Sequence, residues 1–350
     1  MSTLNRASGP YDRHAEIARI DAEWSENPRW QQVTRTHSAE DVVRLRGSMN
    51  RDNMLARRGA EKLWDIVNRN ARTVPTTNLF IHALEGMSGG EAVNHVKAGT
   101  QVITLSGGQI AAVRQINSAF ARADQIQWKA GAQAESRDYF APLIADGEAS
   151  FCGVLSGYEL AQNLIRAGAA GVHFADQLAD ETDEPVLVST QDAVQKLIAA
   201  RLAADVEDVP TLIFARTNAD SIDLLMTECD ACDQPFVVGE RNDEGFYPVK
   251  GGVELAIARG LAYAPYADVV WCETTEPNLD EAKQFAEAIR REYPDQLLAY
   301  SCSPSASHMG YLDDSATATF QRELAALGYT FQFIASEQHR EQPAIGSRAA

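Results

Sequence analysis

The sequence predicts an α/β fold, a (β/α)8 TIM-type barrel with an N-terminal helical layer, and two observations support this prediction. Eight short apolar segments recur between residues 76 and 336, each about as long as a buried strand. At least one stretch with helical periodicity separates each segment from the next. Strands that alternate with helices form a parallel sheet buried on both faces. In a (β/α)8 barrel the functional residues gather where the strands end, and most of these segments end in a polar residue.

The N-terminal helical layer is predicted over residues 1–75. Apolar residues recur there at helical spacing, and the segment Ser38-Ala-Glu-Asp41 has the form of a capping box before the apolar pair Val42-Val43. No strand-like run occurs in this part of the sequence. We therefore expect a layer of helices rather than a second α/β unit.

The barrel is predicted over residues 76–336. Residues 218–250 are too long for an ordinary connection between a strand and the next helix, so we expect them to form a folded excursion over the barrel mouth. The last residues, 337–350, are polar and show no pattern, and we expect a frayed tail. The predicted strands are 78–87, 101–107, 142–148, 171–176, 211–217, 268–273, 297–303 and 329–334. The predicted helices between them are 90–98, 111–123, 157–167, 190–203, 252–261, 280–292 and 315–327.

The composition argues against several classes of partner. The chain has 350 residues, with 31 Lys and Arg against 49 Asp and Glu, which gives a formal net charge of −18. This charge balance argues against nucleic acid and anionic membranes as partners. No apolar run approaches the ~20 residues that a membrane span requires. The first residues also lack the layout of a signal peptide, so we expect a cytoplasmic protein.

Asp146 and Glu148 are the predicted metal ligands. They lie two positions apart at the end of a predicted strand, and residues at this spacing point to one face of a strand. Two carboxylates would then project into the barrel mouth. Mg²⁺ binds through one or two protein carboxylates and completes its coordination with water and substrate oxygens. The pair therefore predicts a Mg²⁺ site, and Mn²⁺ is an alternative ion for the same ligands.

Three further polar residues at strand ends are candidate catalytic residues. Arg216 ends an apolar run and should lie beside the metal, where a guanidinium can grip a carboxylate through two hydrogen bonds. His173 lies inside an apolar run, where a hydrogen-bonded core histidine is the alternative to an acid or base. Glu273 follows another apolar run. We expect Glu273 to orient substrate or to stand in the shell around the metal. Asp176, in contrast, is expected to anchor a loop.

Hydroxyl groups and a glycine-rich strand exit complete the predicted site. Ser301, Ser303 and Ser305 alternate along the chain and offer hydroxyls that can hold a carboxylate. Ser106 and Gly107 follow another predicted strand, where backbone N–H groups can bind an oxyanion. The sequence contains neither of the glycine-rich nucleotide signatures. These features together predict a site for a small polycarboxylate or 2-oxo acid substrate.

Long segments between about Ile17 and Ile334 resemble a known family. They include Asn27-Pro-Arg-Trp30, Arg122-Ala-Asp-Gln-Ile126, Ile144-Ala-Asp-Gly-Glu-Ala149, Gly239-Glu-Arg241, Gly260-Leu-Ala-Tyr-Ala-Pro-Tyr266 and Trp271-Cys-Glu-Thr274. On these segments the sequence closely resembles bacterial isocitrate lyases, which belong to the isocitrate lyase and phosphoenolpyruvate mutase superfamily. The resemblance implies a (β/α)8 barrel, a Mg²⁺ ion, and retro-aldol cleavage of isocitrate to succinate and glyoxylate.

The resemblance also implies a role for each residue at the strand ends. It makes Asp146 the direct metal ligand and Glu148 an acid in the outer shell, with Glu273 near the metal. The implied substrate-binding residues are Ser106, Gly107, His173 and Arg216 for glyoxylate, and Ser303 and Ser305 for the succinate carboxylate.

The sequence departs from the family's pattern at the active site. The family's Lys-Lys-Cys-Gly-His loop, whose cysteine protonates the succinate product, should follow Asp176-Gln177-Leu178, but the chain runs on to Pro185 without a cysteine. Other family residues are replaced by Thr104, Gly108, Ala175, Ser301 and Ala335. The exchanged C-terminal helices of the family are missing from the sequence, so we expect either a monomer or a homo-oligomer weaker than the family's tetramer.

The resemblance, with its departures at the active site, implies a Mg²⁺-dependent carbon–carbon lyase of the glyoxylate cycle type with impaired or altered catalysis. Its expected substrate is isocitrate or a related 2-hydroxy or 2-oxo polycarboxylic acid. Two alternatives stay open at this point. The chain is a catalytically inactive family member that binds or regulates a true lyase, or it catalyses hydrolysis of a carbon–carbon bond in a 2-oxo acid.

Overall fold

A computed structural model gives the structure of the chain. It describes residues 12–48, 51–72, 80–86, 88–107, 109–131, 136–147, 154–178, 184–227, 230–302 and 314–334. The predicted tail, 337–350, lies outside these residues. Within the described part of the chain, no helix is both long enough and apolar enough to cross a membrane.

Three helices come first along the chain: α1 (Arg13–Glu26), α2 (Ala39–Arg46) and α3 (Met54–Arg72). The capping box predicted at Ser38 begins α2, because the Ser38 hydroxyl accepts from the Asp41 N–H and the Asp41 carboxylate accepts from the Ser38 N–H. Apolar residues of α1 and α2 pack with Val206 in one buried cluster. The predicted helical layer therefore exists and lies against the barrel.

Eight parallel strands close into a barrel, as predicted. Around the barrel, each strand lies beside the strands that precede and follow it along the chain once the excursion is set aside, and the first and last barrel strands pair to close the ring. The barrel strands are β1 (Ile81–Glu85), β2 (Val102–Leu105), β3 (Leu143–Asp146), β4 (Gly171–Ala175), β5 (Leu212–Thr217), β8 (Val269–Thr274), β9 (Leu297–Cys302) and β10 (Tyr329–Ile334).

A helix follows each of the first seven barrel strands, and their positions agree with the prediction to within a few residues at most ends. These helices are α4 (Gly89–Lys97), α5 (Ile110–Ala130), α6 (Val154–Ala167), α7 (Thr190–Val206), α8 (Val253–Tyr263), α9 (Leu279–Glu292) and α10 (Asp314–Ala326). The largest difference is in α5, which was predicted to end at Ala123. It continues to Ala130, and Gly131, with a positive φ of 71°, ends it.

The described residues of the segment between β5 and α8, 218–227 and 230–250, fold back on themselves. Two short strands, β6 (Leu224–Leu225) and β7 (Tyr247–Pro248), pair antiparallel, and a 3₁₀ turn spans Gln234–Phe236. Leu225 and Tyr247 are buried in the same apolar cluster as residues of α8 and α9. The excursion is therefore packed on the outer layer of the barrel.

Alternate residues of each strand fill the inside of the barrel. Ile144, Phe214, Trp271 and Phe331 come from four different strands and share one buried cluster. Because strand side chains alternate between two faces, the next inward positions toward the carboxyl ends of β3, β5 and β8 are Asp146, Arg216 and Glu273. This alternation places the predicted polar residues at the barrel mouth.

Candidate functional site

Three of the predicted residues meet on neighbouring strands at the carboxyl-terminal end of the barrel. Asp146 on β3 is directly paired with His173 on β4, and Arg216 on β5 is paired with Ala175, two residues after His173. The same end of a parallel barrel carries all three because every strand runs in the same direction. The structure thus brings together a carboxylate, an imidazole and a guanidinium.

Asp146 is held in place by the backbone of the neighbouring strand exit. Its side chain is buried, and Oδ2 accepts a hydrogen bond of 3.0 Å from the Gly107 N–H. Gly107 has φ +76°, a conformation that favours glycine, and this turn points its N–H at the carboxylate. The predicted role of the glycine-rich exit was to bind an oxyanion, and in the structure the anion that this N–H binds is the protein's own.

His173 is neutral at neutral pH in this environment. Its side chain is buried, and burial lowers the pKa of His173 to about 4; the charge of Arg216 adds to this lowering, while that of Asp146 opposes it. The Nδ1 atom lies 3.8 Å from Oδ1 of Asp146, too far for a hydrogen bond. Within the described residues this nitrogen has no hydrogen-bond partner. The neutral imidazole can therefore donate its one N–H to a ligand oxygen, and it is a much weaker acid than a protonated imidazolium would be near pH 7.

Trp271, which was not among the predicted site residues, lies beside His173 and Arg216. Its ring lies 5.3 Å from the ring of His173 and stacks on Phe333 at 4.3 Å, and the guanidinium of Arg216 lies 5.5 Å from its centroid. The sequence could have indicated this position, because Trp271 is two residues before Glu273 on the same strand. Residues at this spacing point to the same face. The indole forms an apolar wall beside the polar groups.

Glu273 lies on β8 across from Ser301 on β9, with the two residues directly paired. The Ser301 hydroxyl donates a short hydrogen bond to Oε2 of Glu273 and accepts one of 2.6 Å from Nε1 of Trp271. The sequence predicted that Ser301 could hold a carboxylate. In the structure it does so, but the carboxylate belongs to Glu273.

The remaining predicted site residues are only partly covered by the structure. Glu148, Ser303 and Ser305 lie outside the described residues. Ser106 is exposed immediately after β2, one residue before the turn at Gly107. The predicted roles of these residues stay predictions.

Asp176 lies outside the barrel wall, away from the inward-facing group. It is buried, and it accepts hydrogen bonds from the side chains of Thr217, Arg259 and Tyr263 and from the Asn218 N–H. These partners belong to the end of β5, the start of the excursion, and α8. Asp176 thus joins three elements, in keeping with the predicted role of loop anchor.

The Asp146 carboxylate at the barrel mouth is the kind of oxygen donor that suits a Mg²⁺ or Mn²⁺ ion. Asp146 is a buried carboxylate at the strand end, and it faces a neutral histidine rather than a protonated one. Among the described residues, no three His, Cys, Asp or Glu side chains form a metal-binding group. Mg²⁺ commonly takes only one or two protein carboxylates, so this donor set suits a hard divalent ion and does not suit a structural zinc site.

The fold and the mouth define a class of protein: a (β/α)8 barrel with a carboxylate, a neutral histidine and an arginine on adjacent strand ends. A sequence model of the isocitrate lyase family matches residues 121–244 and 240–345. The isocitrate lyases of Escherichia coli K12 and Mycobacterium tuberculosis are each 47% identical to the chain, over 92% and 90% of it and over 80% and 78% of their own lengths. This chain belongs to the isocitrate lyase family.

Solved structures show the same fold at lower sequence identity. A structure of oxaloacetate acetylhydrolase in complex with the product oxalate matches with a TM-score of 0.52 and 17% identity. The match covers 79% of this chain and 80% of that one. At this level of identity the likeness concerns the barrel alone.

Proposed function

We propose that this chain is a carbon–carbon lyase that depends on Mg²⁺ or Mn²⁺ and cleaves isocitrate, or a related 2-hydroxy or 2-oxo polycarboxylic acid. One observation carries the proposal. Asp146, His173 and Arg216 lie on three consecutive barrel strands, at the mouth of a family member that is 47% identical to isocitrate lyases.

Each of these residues has a chemical task in the proposed reaction. Asp146 binds the metal through its carboxylate, which the Gly107 N–H already orients. A bound divalent cation supplies positive charge that stabilises an oxyanion on the substrate. Arg216 grips a substrate carboxylate with its planar guanidinium. His173 offers a neutral ring to a substrate oxygen, because its low pKa keeps the ring uncharged near pH 7.

The same reasoning gives an expected rate. The chain between Asp176 and Pro185 contains no cysteine, so the proton donor of the family's loop is missing. The neutral His173 is a weaker acid than an imidazolium and a poor replacement for that donor near pH 7. Losing a general acid costs roughly 10²–10⁴ in rate, and we propose that turnover is slower than that of the curated lyases by about this factor.

The test is glyoxylate formation from threo-isocitrate by the purified protein with Mg²⁺ and then with Mn²⁺. Asp146→Asn removes the proposed ligand while keeping the side chain's shape, and Asp21→Asn makes the same chemical change at an exposed position on α1. We expect slow glyoxylate release that needs the metal, disappears in Asp146→Asn, and is unchanged in Asp21→Asn.

Two results would count against the proposal. Glyoxylate release that survives in Asp146→Asn would remove the metal ligand from the mechanism. No release with either metal, together with co-purification of a full-length lyase, would favour a binding or regulatory partner instead.

A further inference from the structure

Ser301 is buried between two residues of the neighbouring strand. Trp271 and Glu273 both point inward from β8, and the Ser301 hydroxyl on β9 contacts both of them. Ser301 is 3% exposed and Trp271 is 5% exposed, so bulk water does not compete for the bond between them. The three side chains therefore form a chain of hydrogen bonds beside the proposed substrate space.

The direction of these hydrogen bonds follows from the chemistry of the groups. An indole nitrogen can only donate, and a serine hydroxyl has one proton to donate. The bond of 2.6 Å from Trp271 Nε1 therefore makes the Ser301 oxygen the acceptor. The single Ser301 proton then points to Oε2 of Glu273. Oε2 of Glu273 is therefore the acceptor at the end of this chain of hydrogen bonds.

The indole of Trp271, the first donor in this series of hydrogen bonds, is fixed by its packing. Trp271 stacks on Phe333 with an angle of 16° between the rings, and the His173 ring lies on it at 58°. An indole held by two rings cannot rotate freely, so its N–H has a fixed direction. That direction passes through Ser301 to the carboxylate.

We propose that Ser301 is a positioning residue that holds Glu273 as a hydrogen-bond acceptor in one orientation, through a relay that runs from Trp271 to Ser301 to Glu273. Because Oε2 already accepts from Ser301, Oε1 keeps more capacity to accept from a water molecule or a substrate hydroxyl. This inference rests on the proposed function, because it assigns Glu273 to the shell around the metal and substrate.

The relay itself can be tested without turnover. The chain has five tryptophans, and the indole N–H signal of Trp271 can be assigned in a ¹H–¹⁵N spectrum by its loss in Trp271→Phe. We expect Ser301→Ala to shift this signal and Ser301→Thr, which keeps a hydroxyl, to leave it close to its parent position. Glu273→Gln should shift the signal in the parent but not in the Ser301→Ala background, because the coupling passes through the hydroxyl.

The effect on ligand binding is the second measurement. Residues that orient a group in the shell of a metal typically change its affinity 10–100-fold, so we expect Mn²⁺ binding to weaken roughly tenfold in Ser301→Ala and to recover in Ser301→Thr. Thr274→Val is the matched control. Thr274 is a buried hydroxyl next to Glu273, on the opposite face of the same strand, and it bonds to Tyr300 and the Ser301 carbonyl.

The outcomes separate this inference from the proposed function. An indole signal that ignores both Ser301→Ala and Glu273→Gln would overturn the relay. A shifted signal with unchanged Mn²⁺ affinity would make the bond merely structural and would also overturn the inference. If the parent binds no Mn²⁺, the proposed function fails, while the indole signals still decide whether the relay exists. Should Ser301→Ala not fold, Ser301→Cys replaces it, since a thiol is a weak donor of similar size.

Discussion

Asp176 and Arg259 form an ion pair with 3.0 Å between Oδ2 and Nη1, and both side chains are sealed from solvent. The same guanidinium pairs with the buried Asp233 at 2.9 Å. Asp233 in turn accepts from the Thr190 N–H and hydroxyl at the start of α7. One arginine on α8 thus pairs with two buried carboxylates and connects the end of β4, the excursion and α7 behind the barrel wall.

We predict that Arg259→Leu destabilises the protein by about 3–5 kcal/mol, because it leaves buried carboxylates without a counter-charge. The control is Lys250→Gln, which breaks an exposed pair with Glu254 at 3.3 Å. Exposed pairs contribute about 0–1 kcal/mol, so the control should scarcely change stability. Urea unfolding of both variants measures the difference, and equal effects would show that the buried network does not carry the stability assigned to it.

A second prediction concerns Asp220, which lies at the start of the excursion. Burial raises the pKa of Asp220 to about 6, and the charge of Glu281 adds to the rise. In the unfolded chain an aspartate titrates near 3.9. The folded protein therefore holds this proton more tightly, so the free energy of unfolding falls as pH rises from about 4 to about 6.

Asp220→Asn should remove the free-energy cost of ionising this buried carboxyl group. We expect the variant to be more stable than the parent at pH 7.5 by about 1 kcal/mol, a value discounted for the solvent that still reaches the side chain. The gain should vanish near pH 4, where the parent's carboxyl is protonated. Thermal unfolding at both pH values measures it, with Asp21→Asn on exposed α1 as control. A gain in stability that is equal at both pH values would contradict a raised pKa of Asp220.

A third prediction links the backbone at Gly107 to the carboxylate of Asp146. A Cβ at Gly107 meets only the end of the Gln109 side chain, at 3.8 Å, so Gly107→Ala acts through its φ of +76°. Placing an ordinary residue in this region costs about 1–2 kcal/mol. Because the Gly107 N–H donates to Asp146, we also expect Gly107→Ala to weaken Mn²⁺ binding.

Gly47→Ala is the matched control for this variant. Gly47 has φ +75°, nothing lies within 4 Å of a Cβ added there, and the residue is not hydrogen bonded to Asp146. Both variants should lose stability in urea, but only Gly107→Ala should lose Mn²⁺ affinity in a calorimetric titration. If Gly107→Ala and Gly47→Ala bind Mn²⁺ equally well, the turn at Gly107 does not support the metal site.

The fourth prediction concerns the charge of His173 in the metal-free protein. We expect its ring to remain neutral at pH 5.5, where an ordinary histidine is mostly protonated, because burial lowers its pKa to about 4. Removing the nearby positive charge with Arg216→Gln should raise this pKa, and removing the negative charge with Asp146→Asn should lower it further.

NMR of the histidine rings measures these shifts, with the His173 signal assigned by His173→Gln. Arg322→Gln, on the exposed side of α10, is the control and should leave the signal unchanged. A ring that is protonated at pH 5.5, or that responds to neither neighbouring charge, would refute the account of its environment.

Much of the barrel could be predicted from the sequence, because its strands are marked by patterns of neighbouring residues. Each buried strand is a short apolar run that ends in a polar residue, as at Asp146 and Arg216, and its position does not depend on distant contacts. The end of α5 was missed, because helical periodicity fades at its polar surface turns while Gly131 ends the helix through its backbone conformation. Arg216 was also expected beside the Asp146 carboxylate, since parallel strands put their carboxyl ends together.

The sequence by itself determined the order of strands and helices and the polar residues that mark the strand ends, because periodicity and alternation are properties of neighbouring residues. Only the tertiary structure decided that Trp271 contacts His173 and Arg216, that Ser301 binds Glu273 rather than a ligand, and that Arg259 neutralises Asp176. These contacts join residues far apart in the chain. They depend on the register between strands and on how helices pack on the sheet, which no local pattern specifies.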